Sequence, residues 1–406
     1  MLTLSIASPR TMKAAAAVRE IHPAPSLPVG QTRIPQLDGL RGIAVMTVVL
    51  YHYVLSISLA PGTLQHIQNC FRLGGYGVDL FFVLSGFLIG GILLDCKSSP
   101  RYFRTFYLRR FHRIFPLYYL WLGLYLSLAL SVFRYLPPSI KTMWSGWRPT
   151  LVYAFFVQNL ISKQLQGIAA AWLGPLWSLA VEEQFYLLMP LAVYFLSKRR
   201  LVQLLVATLL LVPLLRVAFS RWTQGAQYTA TPLRADALAM GVLLALAMRE
   251  EGWAERIRQN LNWLYAAIAV LFGGVLCLAV RTLESVGRWD TPWGFSCMGL
   301  FFTASTLLAL MRPGGWWSRF CKQTALQNLG GISYCIYVVH LAANTICQAI
   351  LRSFCGTKSV LLDMVSVLVA WTVTFTLAKV SWRYLESPMI RRGHAYKYYP
   401  EQQGSS

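Results

Sequence analysis

Ten apolar runs divide this 406-residue sequence, and each is long enough to cross about 30 Å of hydrocarbon as a helix. In lipid, a chain must satisfy its backbone hydrogen bonds internally, which favours helices packed against one another. The sequence therefore predicts an all-α polytopic membrane helix bundle of about ten transmembrane helices. The runs lie at 38–60, 76–94, 114–136, 174–196, 201–219, 233–248, 261–280, 294–311, 332–353 and 360–381.

The charged residues are few and mostly basic. Hydrophobic residues make up 56% of the chain and charged residues 13%, which argues against a soluble globular protein. Lys and Arg outnumber Asp and Glu by 37 to 15. Because the basic residues fall in short clusters between apolar runs, they indicate cytoplasmic loops that face anionic lipid. Membrane lipid is an expected partner and nucleic acid is not.

Loop charges also predict the orientation. The loop "DCKSSPRYFRTFYLRRFHRI" between the second and third runs carries six basic residues, so we expect it on the cytoplasmic side. If every run crosses once, both termini lie on that side. Residues 1–35 lack the apolar core of a signal peptide and are expected to form a flexible cytoplasmic tail. Residues 36–390 would form the membrane domain and residues 391–406 a cytoplasmic C-terminal tail. The run at 150–160 is too short for a comfortable crossing and is predicted to be partly buried or re-entrant.

The first run contains an arginine and a histidine. An ionisable group within a span costs about 2.5 to 3.5 kcal/mol on insertion, so each is a functional candidate. Arg41 and His52 are separated by about three helical turns, which places them on one face about 16 Å apart. Arg41 near the cytoplasmic entrance suits an anionic ligand, and His52 near the membrane middle can accept a proton near neutrality. Alternatively, Arg41 extends to the headgroups and His52 bonds a neighbouring helix.

A second basic group lies in "YLRRFHRIFPLYY", where Arg109, Arg110 and Arg113 fall within one helical turn at the cytoplasmic mouth. An ordinary positive-inside cluster is one explanation. Guanidinium groups also bind phosphate bidentately, so a phosphate-rich soluble donor that arrives from the cytoplasm is the specific alternative.

Carboxylates occur within the spans as well. Glu182 and Glu183 in "WSLAVEEQFYL" lie about three turns into a span from the outer side, and a carboxylate there needs a partner or a proton. Arg41, Arg234 and His52 are the candidate partners. Arg234 and Asp236 are predicted to form a local ion pair at the outer end of their helix.

Other polar residues have simpler explanations. In "GVDLFFVLSGFLIG", Ser85 and Gly86 are small enough to let helices approach closely. For His340, Arg234 and Glu386, an interhelical structural role is favoured over a functional one.

The eight cysteines contain no CxxC and no Cys/His cluster, so no metal site is expected. A disulfide between Cys70 and Cys355, in predicted outer loops, stays open. Trp144 and Trp147, in the longest predicted outer loop, would stack on sugar rings or lie at the membrane interface.

Seven separated motifs resemble the acyltransferase-3 family of integral membrane O-acyltransferases, in the family's order and over residues 36–390. They are "LDGLRGIAV…YH", "GVDLFFVLSGFLI", "RRFHRIFPLYY", "WSLAVEEQFYL", "RADALAMGVLLA", "LGGISYCIYVVH" and "YLESP". The resemblance implies ten membrane helices and transfer of an acyl group, often acetyl from acetyl-CoA, to hydroxyls of glycans or lipid-linked sugars. It further implies that His52 and Arg41 match the family's essential His and Arg, that Arg110 and Arg113 match its arginine motif, and that Ser85 matches its "SGF" motif. The chain is similar to the stand-alone subgroup, which lacks a C-terminal hydrolase-like domain.

These observations combine into one functional hypothesis, an O-acyltransferase of the bacterial inner membrane with His52 as general base. The predicted site contains catalytic, donor-binding and acceptor-binding groups and no metal. The catalytic residues are His52, Arg41 and Glu182; the acyl-CoA-binding residues are Arg110, Arg113, Arg109 and Ser85; the acceptor-binding residues are Asp38, Glu183, Tyr334 and His340. The rival hypothesis is a secondary transporter of a sugar or an acyl carrier, which would use the same charges as relays.

Overall fold

The computed structural model describes residues 33–59, 62–132, 148–160, 172–219, 229–284, 292–355 and 359–399, and every regular element in these ranges is helical. Each of the ten apolar runs contains an α-helix, so the predicted helical bundle is confirmed. The α-helices are α1 (Pro35–Leu55), α2 (Thr63–Cys70), α3 (Gly77–Asp95), α4 (Tyr102–Val132), α5 (Arg148–Ala154), α6 (Leu176–Phe195), α7 (Lys198–Phe219), α8 (Ala235–Ala247), α9 (Trp253–Gln259), α10 (Leu261–Glu284), α11 (Gly294–Met311), α12 (Trp316–Cys321), α13 (Thr324–Gly331), α14 (Ser333–Cys355), α15 (Val360–Ser381) and α16 (Ser387–His394). Three 3-10 helices, at Phe71–Tyr76, Gln158–Leu160 and Thr231–Leu233, and a π-helix at Trp382–Glu386 complete the set.

Seven helical stretches in the described ranges are long and apolar enough to cross a membrane. Helices α1 and α6, which carry the ionisable residues named above, and the 13-residue α8 are not among them. The candidate functional groups Arg41, His52 and Glu182 are among the polar residues that lower the mean hydropathy of α1 and α6. The number of crossings and the side on which the termini lie stay predictions.

Helices α3 and α8 pack backbone against backbone through two glycines. A Cβ atom built on Gly86 would lie 2.1 Å from the carbonyl oxygen of Leu238, and one built on Gly241 would lie 2.1 Å from that of Val83. Neither position has room for a side chain, because the obstructing atoms belong to the opposite main chain. The predicted close approach at Gly86 is confirmed, and it fixes the depth at which the neighbouring Ser85 lies in the bundle.

Helix α1 is held at its end by α14 and α15. The Tyr53 hydroxyl is 3.0 Å from the carbonyl oxygen of His340 and 2.7 Å from the Thr374 hydroxyl, and Tyr53 is completely buried. The Gln68 side chain donates to the carbonyl oxygens of Val54 and Ile57, at 2.7 and 2.8 Å, where the helix ends. These bonds fix the last turn of α1 against α2, α14 and α15.

The ion pairs around α8 differ from the local pair predicted for Arg234 and Asp236. Arg234 instead pairs with Asp79 of α3 at 3.0 Å, and Asp236 pairs with Arg216 of α7 at 2.6 Å. The local prediction was wrong because residues two apart in a helix do not face one another. All four side chains are at least 97% buried, so the two pairs join three helices inside the bundle.

Removing one member of the α7 to α8 pair is expected to destabilise the fold strongly. Arg216→Met leaves the buried Asp236 carboxylate without its counter-ion, which should lower the free energy of unfolding by about 3 to 5 kcal/mol. The double variant Arg216→Met/Asp236→Leu is the matched control, because it removes both charges and should recover most of the loss. Reversible unfolding in mixed detergent measures both. Equal stability of the single variant and the wild type would contradict the assignment.

The short run at 150–160 does not form a spanning helix, as predicted. Helix α5 has seven residues, and a turn at Phe156, whose φ is 53°, separates it from the next 3-10 helix. The Phe156 ring stacks on Tyr118 at 4.3 Å, and the Gln184 side chain donates to the Phe156 carbonyl at 2.8 Å. The left-handed turn is therefore held by α4 and α6.

Two predictions about outer loops have different outcomes. Where the structure describes both residues, Cys70 and Cys355 form no disulfide with each other. Trp144 and Trp147 lie outside the described residues.

Candidate active site

Three neighbouring cavities form a line through the bundle. A vestibule of about 690 Å³ shares Arg41, Arg110 and Arg113 with a central chamber of about 210 Å³. The central chamber shares Val78 and Tyr337 with a histidine pocket of about 120 Å³, whose wall includes His52. Arg41 and His52 thus line successive cavities of one adjoining series, the path, and they are about 16 Å apart along α1.

The junction between vestibule and central chamber is strongly basic. Arg110 and Arg113 lie one turn apart on α4, and Arg41 faces them from α1. The nearest carboxylate oxygen to Arg41 is that of Asp38, at 4.0 Å. In the described ranges no carboxylate lies within 4.0 Å of Arg110 or Arg113, and the buried Nε of Arg110 has no hydrogen-bond partner. Partly buried guanidinium groups with so little pairing to carboxylates favour an anionic ligand.

Arg109 and Asp38 line the vestibule only. The Arg109 guanidinium donates to the Tyr396 carbonyl at 3.0 and 2.8 Å and lies 4.9 Å from the centre of the Tyr398 ring. Asp38 forms an ion pair with Arg33. Arg109 thus anchors the segment that follows α16, while Arg110 and Arg113 face both cavities.

Glu182 lies in the wall of the central chamber and is satisfied by hydroxyl groups. Its Oε1 accepts from Ser85 at 3.0 Å, and its Oε2 accepts from Tyr186 at 2.9 Å. None of the three basic partners considered from the sequence lies within 4.0 Å of it. Tyr186 was missed by sequence reasoning, although its position four residues after Glu182 on one helix face is a signal that predicts contact.

Two predicted acceptor-binding residues occupy different positions. The Tyr334 ring lines the central chamber, and its hydroxyl donates to the Ile114 carbonyl at 2.8 Å. Glu183 lines none of the three cavities, and its buried Oε1 has no hydrogen-bond partner in the described part of the chain. The structure therefore brings Tyr334 to the path and leaves Glu183 beside it.

His52 lies in the last turn of α1, because the helix ends at Leu55 and not at residue 60. Its Nδ1 atom is 2.9 Å from the Val48 carbonyl oxygen and 3.1 Å from Nε2 of His340. His340 is completely buried and lines none of the three cavities. The structure thus brings His52 and His340 together, and of these two histidines only His52 lies in a cavity wall.

Neither Asp38 nor Glu182 links Arg41 to the imidazole of His52. Asp38 lines the vestibule and Glu182 the central chamber, and in the described ranges neither is hydrogen-bonded to His52. Because Arg41 lines both the vestibule and the central chamber, its position favours binding of an anionic ligand over extension to the headgroups.

A family model described as an acyltransferase domain matches residues 34–380, which include every predicted site residue. The chain belongs to this acyltransferase family. It is an integral membrane protein of the family that its motifs resemble. No solved structure matches the chain.

Curated bacterial relatives match nearly the whole chain. The O-acetyltransferase OatA of Staphylococcus aureus is 27% identical over 391 residues, which cover 91% of this chain and 60% of the relative. The peptidoglycan O-acetyltransferase OatA of Listeria monocytogenes is 28% identical, over 89% of this chain and 56% of the relative. The putative peptidoglycan O-acetyltransferase YrhL of Bacillus subtilis is 28% identical, over 89% and 55%. The chain spans little more than half the length of these relatives.

Proposed function

We propose that this protein is an O-acetyltransferase of the bacterial cytoplasmic membrane, which moves an acetyl group from acetyl-CoA to a hydroxyl of a glycan or a lipid-linked sugar. The observation that carries the proposal is the series of adjoining cavities from three partly buried guanidinium groups to one imidazole. One end suits a phosphate group and the other suits proton transfer.

The negatively charged phosphates of acetyl-CoA decide where the donor binds. The phosphates of acetyl-CoA bind Arg110 and Arg113 at the junction, and Arg41 holds the phosphate end of the pantetheine arm. The narrow arm extends through the central chamber, past Ser85 and Glu182, and brings the thioester toward His52. Binding at two ends of a confined path orients the thioester carbonyl for attack.

His52 acts as the general base through Nε2. Its Nδ1 faces a carbonyl oxygen, which can only accept, so Nδ1 carries the hydrogen and Nε2 holds the lone pair. Nε2 takes the proton from the acceptor hydroxyl while that oxygen attacks the thioester carbonyl. The carbon–sulfur bond then breaks, an ester forms, and the CoA thiolate takes the proton from Nε2 of His52, which restores the neutral imidazole. An acetyl-histidine intermediate would use the same nitrogen.

The relatives support a glycan acceptor. Those from Listeria monocytogenes and Bacillus subtilis are named for O-acetylation of peptidoglycan, the second as putative. We extend that acceptor class, a hydroxyl on a cell-envelope glycan, to this chain. The family and its relatives do not favour the rival transporter hypothesis.

Purified protein in liposomes, supplied with acetyl-CoA labelled in the acetyl group, tests the proposal. With soluble peptidoglycan fragments as acceptor, we expect release of CoA thiol and an equal amount of alkali-labile label on the glycan. Both should depend on the protein and on the acceptor. Label that crosses the membrane as intact acetyl-CoA, with no thiol released, would instead support a transporter.

A further inference from the structure

The surroundings of His340 determine which of its two ring nitrogens carries a hydrogen. His340 is on α14, and its Nδ1 is 2.7 Å from the carbonyl oxygen of Tyr337. Its Nε2 is 3.1 Å from Nδ1 of His52, and the two ring centres are 4.9 Å apart. The surrounding packing is tight, because Tyr53 binds the His340 carbonyl and joins α1 to α14.

The two carbonyl oxygens settle which nitrogens carry hydrogen. A carbonyl only accepts, so His340 Nδ1 donates to Tyr337 and His52 Nδ1 donates to Val48. In a neutral His340, Nε2 then carries no hydrogen and can accept a hydrogen bond. At 3.1 Å from His52 Nδ1, this atom is a second acceptor for the same N–H. The opposite arrangement would set lone pairs against each other at both carbonyls.

We propose that His340 is a positioning residue for His52: it accepts the Nδ1–H of His52, holds the ring with Nε2 toward the pocket, and stabilises the imidazolium that forms during transfer. The inference rests on the proposed function, in which His52 is the base. A carboxylate is the more familiar partner of a catalytic histidine. Inside a membrane bundle a neutral imidazole supplies the acceptor without burying a second charge.

Substitutions at His340 distinguish this role from packing. In His340→Leu, kcat should fall by about 10- to 100-fold, by analogy with the loss typical when the partner that orients a metal-binding histidine is removed. The KM for acetyl-CoA should not change, because His340 lines none of the three cavities.

A pair of amides provides the matched comparison. In His340→Gln, the new side chain can place its amide oxygen near the position of Nε2 and accept from His52, so much of kcat should return. The shorter amide of His340→Asn reaches the Tyr337 carbonyl but not His52, so its kcat should stay as low as that of the leucine variant. Equal activity of the two amide variants, full activity of His340→Leu, or a KM that rises with the loss would overturn the proposal.

Nitrogen-15 spectra give a readout that does not depend on activity. The chain has six histidines, so labelling all of them and comparing with His52→Ala and His340→Gln assigns both rings. We expect Nδ1–H on both histidines, and a hydrogen on Nε2 of His340 would overturn the inference. If both histidines carry hydrogen on Nδ1 as expected but His52→Ala still transfers acetyl groups, His52 is not the base, although its hydrogen bond to His340 is confirmed. If His52→Ala is inactive and His340→Leu is fully active, only the positioning role fails.

Discussion

Replacing His52 by alanine is expected to lower the rate of acetyl transfer by a factor on the order of 10² to 10⁴, the usual contribution of a positioned general base. No other side chain in the described wall of the histidine pocket can take up a proton near neutrality, since the remaining polar side chains there are Tyr51, Trp177 and Tyr337. Alanine also leaves α1 intact, because the buried face of that helix is formed by Val45, Val48 and Tyr53. The loss should therefore appear in turnover and not in the amount of folded protein.

A second histidine near the same end of α1 provides the control. His66 is exposed on α2, so His66→Ala should transfer acetyl groups at the wild-type rate. Both variants are compared for thiol release per mole of folded protein, with folding followed by size-exclusion chromatography in detergent. Transfer by His52→Ala at the rate of His66→Ala would exclude His52 as the base, and any acetyl-histidine route with it.

The helices could be predicted because hydrophobic length is a local property of the sequence. The run predicted at 294–311 coincides with α11, Gly294–Met311, and the run at 360–381 coincides with α15, Val360–Ser381. The end of α1 was misplaced by five residues because its last turn is fixed by Gln68, a residue of another helix. Apolar composition alone does not encode such a cap.

The partners of the polar residues could not be predicted, since they come from distant parts of the chain. Ser85 and Glu182 are 97 positions apart, and His52 and His340 are 288 apart. Local spacing favoured Asp236 as the partner of Arg234, whereas helix packing selected Asp79. The spacing of Arg41 and His52 did predict that they share a helix face. This is a property of a single helix, so it could be predicted without tertiary information.

The charges along the path differ between its two ends. Three guanidinium groups meet at the junction, while the one carboxylate in the described wall of the central chamber, Glu182, is already bound by Ser85 and Tyr186. An excess of partly buried positive charge is costly in the absence of an anion, so donor phosphates would stabilise the site that binds them. The same excess of positive charge would repel a cationic ligand. The junction itself would therefore select an anionic donor.

Removing the two α4 arginines at the junction should accordingly weaken donor binding. For Arg110→Gln/Arg113→Gln we expect the KM for acetyl-CoA to rise by at least 10-fold, since each hydrogen bond to a charged group is worth about 1.5 to 3 kcal/mol. Acetyl-pantetheine, which lacks every phosphate of CoA, should be used equally well by the variant and the wild type. The double variant should therefore lose the preference of the wild type for acetyl-CoA over this truncated donor.

Steady-state kinetics with both donors separates a loss of phosphate binding from a damaged fold. Arg256→Gln is the matched control, because Arg256 is exposed on α9, away from the cavities, and its loss should change neither KM. A distorted bundle would slow both donors alike, whereas loss of phosphate contacts affects acetyl-CoA alone. An equal loss with acetyl-CoA and acetyl-pantetheine would show that Arg110 and Arg113 serve the structure of the junction and do not bind the donor. Because this outcome leaves the role of His52 untouched, the two ends of the path are tested independently.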